Sequence, residues 1–375
     1  MHSYHFISMS ATEFGNVYIE TVSAPAVAHS NGPAWVHESP YLPRGFEEGS
    51  VFEASPLRHI AMRKLLLDQR NLMPSLFTNV PWSIASDIWA FLGRCKRQTL
   101  HMWKLLATVY PTQFAELEQY RSLKIEGPKL SMREYLGLVK SDSLSWRVVL
   151  TLATSYARVP EIVGISEIKN LCALDVATPA RPDTWLDSTD LQSTALTDRI
   201  VRSWSESAQT GEAFSHLRVL VLRHQTSLSK IALHYMRSFP KLQAVIAFGC
   251  PGFESALSGG DVDGWTVAEV KRSAPATLHE YYEAICKAAG ADSIPAERPI
   301  LDFQIGELKD SRESVRAPYS TMYLQRTGGA PVGDPDLTTR KRKWAVECPR
   351  EQSRRGKAVM KDRTRDIGDV LSSFF

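Results

Sequence analysis

The chain has 375 residues, 43% of them hydrophobic and 23% charged, with a formal net charge of +3. These values exclude wholesale disorder and a fibrous chain, allow one large or two modest domains, and lie too near neutrality to imply direct sequence-specific nucleic-acid binding. The five cysteines (Cys95, Cys172, Cys250, Cys286, Cys348) are scattered without a C-x-x-C pair, and the ten histidines do not gather at metal-ligand spacing. Neither a disulfide framework nor a metal or other cofactor is predicted, and a reducing nuclear or cytoplasmic setting is expected.

In chain order, residues 1–54 mix Ser, Ala, Pro and Gly with isolated aromatics and no sustained period, so a disordered leader is predicted. Met1 to Phe6 lacks the basic start and apolar run of a secretory signal. No stretch approaches the ~18 uninterrupted apolar residues of a membrane span, so no membrane partner is expected. Residues 55–142 read as helical. Ser55-Pro56 offers a cap and a first-turn proline ahead of Ile60, Leu65, Leu66 and Leu67. Between Leu76 and Phe114, residues Ile84, Ile88, Trp89, Phe91, Leu92, Leu100, Trp103, Leu105 and Leu106 fall on helical rows, broken near Gly93 to Lys96 and closed by Tyr110-Pro111. Two or three short helices sharing one apolar face are predicted.

Over residues 143–330, short β-compatible runs alternate with helical stretches: 148–152, 171–176, 217–222 and 242–248. Leu150 to Leu174 spans 24 residues and Leu220 to Val245 spans 25, while the 46 from Leu174 to Leu220 hold two units or one with an insertion. Such an interval predicts a solenoid of stacked β–α units, with an ordinary α/β core as the other reading. A possible strand at Trp265 to Val270 and a helix from about Ala276 to Ala289 are expected to cap the open end of the array. Residues 331–375 turn polar and basic, and a disordered tail is predicted.

Leu217-x-x-Leu220-x-Leu222, Leu171-x-x-Leu174-x-Val176 and, more weakly, Leu242-x-x-Val245-x-Ala247 resemble the L-x-x-L-x-L core of leucine-rich repeats. The unit from Leu217 to Leu242 is similar to the cysteine-containing subtype found in F-box proteins. Leu228, Leu233, Tyr235-Met236 and Phe239-Pro240-Lys241-Leu242 match its helix and ending, with Phe239 in place of Cys, and Cys250 stands where such repeats carry Asn or Cys. Val80-Pro81-x-x-Ile84-x-x-x-Ile88-Trp89-x-Phe91-Leu92 resembles the start of an F-box. That resemblance implies docking onto the adaptor of an SCF-type ubiquitin ligase through Val80, Pro81, Ile84, Ile88, Trp89 and Leu92, with the repeats selecting an unknown client. A helical cap that merely seals the first repeat is the alternative. The fold expected is thus α/β, a short leucine-rich-repeat solenoid preceded by an F-box-like helical region, with disordered termini.

In the tail, Arg340-Lys341-Arg342-Lys343 suits a nuclear-import receptor, or is a solvated charge run. The terminal Gly368-x-x-Leu371-x-x-Phe374-Phe375 resembles a sliding-clamp-binding box with Gly in place of Gln, which implies Leu371, Phe374 and Phe375 as pocket-filling residues. Docking on the protein's own body or on another partner is equally open. No nucleotide-binding, nucleophile-elbow or zinc-protease motif occurs. His216, Asp175 and Cys250 are candidates for a nucleophilic site only if the fold gathers them, and a non-catalytic adaptor is the expectation.

Overall fold

The computed structural model describes residues 6–11, 17–22, 35, 37–43, 57–178, 194–211, 213–257, 264–268, 277–288, 298–306 and 321–327. The described residues all belong to one compact unit within residues 1–331.

The fold is mixed α/β. Near the N-terminus β1 (Phe6–Ala11) and β2 (Val17–Val22) pair as an antiparallel hairpin. A helical region follows: α1 (Leu57–Leu66), α2 (Pro74–Phe77), α3 (Trp82–Arg94), α4 (Leu100–Val109), α5 (Pro111–Leu117) and, after one strand, α6 (Met132–Val139). The predicted break after Gly93 is real. The chain leaves α3 through Lys96 at φ 53°, where the N–H of Arg97 donates to the carbonyl of Leu92 at 2.8 Å. Thr99 then caps α4, its hydroxyl accepting from the Met102 N–H at 3.3 Å. Pro111 opens α5, where a missing N–H costs nothing.

The leader is not wholly loose. Glu38 accepts from the Leu100 N–H at 2.6 Å and from Arg121 at 3.1 Å, adding a carboxylate to the N-terminus of α4. Pro40 accepts from the Gln69 N–H at 3.0 Å. Isolated polar anchors of this kind leave no periodic trace in a sequence.

An eight-stranded sheet carries the rest: β3 (Tyr120–Ile125), β4 (Arg147–Ala153), β5 (Leu171–Ala177), β6 (Val219–Arg223), β7 (Ala244–Phe248), β8 (Trp265–Ala268), β9 (Ile300–Ile305) and β10 (Thr321–Arg326), in the order β3-β9-β4-β5-β6-β7-β10-β8. The strands from β3 through β7 in that order run parallel, while β10 lies antiparallel to both β7 and β8. The four predicted runs become β4, β5, β6 and β7, adjacent to one another in chain order. They are joined through α7 (Val159–Val163), α8 (Asp198–Thr210) and α9 (Lys230–Met236), and α10 (Pro251–Leu257) follows β7. Because β5 pairs directly with β6, no other strand of the sheet stands between the strands that carry Leu174 and Leu220.

Period-2 geometry explains which side chains meet these helices. The nine positions Leu171, Leu174, Val176, Leu217, Leu220, Leu222, Leu242, Val245 and Ala247 are all fully buried, in one core with Ile162, Trp204, Leu233 and Phe253 of the returning helices. The Trp204 indole N–H donates to Ile162 O at 3.0 Å, and that of Trp265 to Leu233 O at 3.1 Å, so neighbouring units are tied by satisfied polar tips as well as by area. Cys250 lies 3.7 Å from Leu222 O, its thiol reaching the backbone of β6.

Two features depart from the expected array. Strands β9 and β3 extend the sheet beyond β4, drawn from chain segments with no repeat spacing. The helix expected at the open end, α11 (Leu278–Ala288), lies instead across the other face of the sheet. Its Leu278, Tyr281, Tyr282 and Cys286 pack on Val149, Cys172, Ala173, Val219, Val221 and Ile246. The reason is physical: the outward positions of β4 to β6 are themselves apolar, as in any parallel strand buried on both faces, and need a cover. β8 joins the far edge of the sheet through β10.

Candidate functional site

The helical region carries the most unusual surface. Among the described residues, seven of the fourteen exposed large apolar side chains fall between Leu57 and Ile84: Leu57 (82% exposed), Ile60, Leu65, Leu67, Met73, Leu76 and Ile84 (43%). The helix α1 is held to α3 by an Arg58–Asp87 ion pair and by the His59 ring set edge-on to Phe91 at 5.2 Å, so Leu57 and Ile60 share a scaffold with Ile84. The α2–α3 turn is fixed from below by the Tyr110 hydroxyl, which donates toward the carbonyls of Phe77 and Val80.

The six residues of the F-box resemblance divide sharply. Pro81 and Ile84 are exposed and Val80 is half-buried. Ile88, Trp89 and Leu92 are buried in the protein's own core, where Trp89 meets Phe114 edge-on at 5.2 Å and Trp103 passes the contact on to Trp146 at 5.8 Å. They shape the helix from within the core. Leu57, Met73 and Leu76 join the surface without any motif to announce them. Their signal was the poor apolar periodicity of α1, whose leucines and isoleucine do not share one face.

Elsewhere the candidates disperse. Asp175 is in the middle of β5, His216 precedes β6 at the opposite end of the strands, and the two are separated by roughly 15 Å along the strand direction. Cys250 is buried on the helix side, where desolvation pushes its thiol up to about 11. The three therefore do not assemble a nucleophilic site. Asp175 is buried with Oδ2 accepting from Arg223 Nε at 2.8 Å, while Oδ1 has no partner. Burial raises its pKa more than Arg223 lowers it.

A cavity of about 420 Å³ is lined by Trp35, Asp68, Arg70, Asn71 and His101. Its Arg70 is already matched, pairing with Asp68 at 2.7 Å and with the Tyr41 hydroxyl at 2.6 Å. Cys95, Cys172, Cys250 and Cys286 are buried cysteines outside any disulfide among the described residues. Among the described residues no three His, Cys, Asp or Glu side chains are grouped as a metal would need, and no helix is long and apolar enough to cross a membrane. Arg340, Lys341, Arg342, Lys343, Leu371, Phe374 and Phe375 lie outside the described residues.

No family model matches the chain, and no curated protein or solved structure is significantly similar to it.

Proposed function

We propose that this protein is a non-catalytic interaction adaptor, the substrate-recognition subunit of an SCF-type ubiquitin ligase. Its α1–α3 surface docks the ligase adaptor, and its β4–β7 units form a short solenoid of leucine-rich-repeat type. The observation that carries the reading is the concentration of exposed apolar side chains on α1 to α3, in the segment whose sequence resembles an F-box. Burying such side chains against a partner removes about 25 cal/mol per Å² of unfavourable hydration, an incentive no isolated monomer requires. The repeat half is supported by the chain-ordered parallel strands and the buried leucine positions. Because α11 covers the central strands on the face a repeat array would offer, the client surface falls to the outer side of α11 and the exposed strand edge at β8.

The test is co-purification of the full chain with the adaptor subunit of an SCF-type ligase. The parent is expected to retain the adaptor. Ile84→Lys and Leu76→Lys, both at exposed positions, are expected to lower retention at least about tenfold while leaving the melting temperature unchanged. Absence of adaptor with the parent chain, or equal retention by both variants, refutes the docking assignment.

A further inference from the structure

The eight-stranded sheet ends on β3 at one side and on β8 at the other, with six residues in β3 and four in β8. The ladder to β9 fixes which backbone groups of β3 are left over. The Ile300 N–H donates to Gln119 O and the Gly306 N–H to Ile125 O, both at 2.8 Å. Alternate residues make such bonds in a parallel ladder, so the odd-numbered positions of β3 face β9. Tyr120, Ser122 and Lys124 therefore direct their N–H and C=O groups outward. Among the described residues no hydrogen bond reaches these six groups, and all three residues are exposed. β3 contains no proline, no glycine and no bulge, the devices that commonly blunt a free strand edge.

A candidate occupant is tethered beside this edge. Arg121, the second residue of β3, donates to Glu38 at 3.1 Å and to Gln98 O at 2.6 Å. His37 meets the Tyr135 hydroxyl of α6 at 2.8 Å. His37 and Glu38 thus pin the leader at the start of β3. Residues 23–34 connect this point to β2, a length that can reach roughly 40 Å, about twice the span of β3. The hairpin β1–β2 forms a sheet of only two strands, an arrangement that is marginal in water until a third strand or a packed layer joins it. Both of its strands have six residues, as β3 has. In β2, Val17, Tyr18, Ile19, Thr21 and Val22 are residue types that prefer strands. The charges are complementary as well: Glu20 is the one charged residue of β1 and β2, while β3 carries Arg121 and Lys124 and no carboxylate.

We propose that the β3 edge is a strand-acceptor site whose occupant is the chain's own N-terminal hairpin, with β2 pairing against Tyr120, Ser122 and Lys124 and β1 outermost. The tether sets a local hairpin concentration on the order of a millimolar, which favours it over an untethered strand. A second copy of β3 would instead bring Arg121 and Lys124 to an edge that already carries both. Occupied in this way, the β3 end of the sheet is closed and the short β8 is the edge left open. The site stands on residues separate from the α1–α3 surface, and neither assignment depends on the other.

Amide hydrogen exchange of the full chain, read residue by residue, tests this with an internal control. Arg121, Leu123 and Ile125 donate toward β9 and are expected to be protected in every folded sample. In the parent, the Tyr120, Ser122 and Lys124 amides are expected to exchange at least about tenfold more slowly than an unstructured chain. Ile19→Pro removes a donor from the middle of β2 and is expected to return those three amides to the unstructured rate, leaving the odd-numbered ones unchanged. Ser122→Pro sits where no N–H is used by the β9 ladder, so the sheet is kept. It is expected to speed exchange across Phe6–Ala11 and Val17–Val22, and it decides the matter should Ile19→Pro disturb the odd-numbered amides too. Unprotected Tyr120, Ser122 and Lys124 amides in the parent, or hairpin exchange unaltered by Ser122→Pro, would overturn the proposal. Protection that falls on dilution would assign the edge to a second copy and overturn it equally.

Discussion

Lys104 lies on α4 where the helical region meets the sheet, and replacing it tests how the two halves are joined. Its ammonium donates to Leu138 O at 2.6 Å and stands 5.5 Å from the centre of the Trp146 ring. Neither contact restores the lost hydration, and burial lowers its pKa from 10.5 to about 8. Keeping the group charged at neutral pH therefore costs the fold about 3 kcal/mol. Lys104→Met keeps the length of the side chain, removes that cost and forfeits one hydrogen bond and a ring contact worth about 1 kcal/mol together. The net expectation is a gain of about 2 kcal/mol at pH 7, read by urea denaturation. The pH dependence has a definite sign. Because the folded pKa is depressed, the unfolded chain holds the proton more firmly between about 8 and 10.5, so parental stability rises through that window. The advantage of Lys104→Met shrinks over the same interval. A variant less stable than the parent at pH 7, or a difference unchanged between pH 7 and pH 10, would refute the reasoning.

Gln225 is fully buried, its amide donating to Val176 O and Arg223 O and its oxygen accepting from the Leu196 N–H, all at 3.0 Å. Gln225→Ala strands these groups and is expected to cost about 3 kcal/mol by chemical denaturation. Gly252 lets the first turn of α10 approach the Leu228 carbonyl so closely that a methyl there overlaps its oxygen. Gly252→Ala is expected to cost about 2–4 kcal/mol, and a melting temperature within a degree of the parent would show that the turn can give way. His216 has its folded pKa depressed to about 4 against 6.5, so it contributes a loss of stability as pH falls through that interval. His216→Gln is expected to flatten the stability profile between pH 6.5 and 4 while leaving it unchanged above pH 7.

The helices α3 and α4 were legible because their apolar residues recur at helical spacing and their ends carry local signals, Thr99 and Pro111 among them. The strands β4 to β7 were legible because leucines and β-branched residues recur at a repeat interval. β3, β9 and β10 were missed: each finds its partners across long separations in the chain. The apolar surface was half visible. Pro81 and Ile84 belong to a motif, whereas the exposure of Leu57 and Leu76 depends on where neighbouring helices stop covering them.

What the sequence determined by itself was local: which segments repeat, which turn, and which side chains are apolar enough to need burial. Only the tertiary structure decided which of those apolar groups find partners. α11 carries the same alternation of polar and apolar residues whether it seals an end or covers a face, and only the unmet apolar side of β4 to β6 selects the face. Glu38 and Arg121 stand far apart in the chain, and their charges meet only because the leader crosses the start of β3. Coulomb interaction depends on separation in space, and a sequence lists separation along the chain.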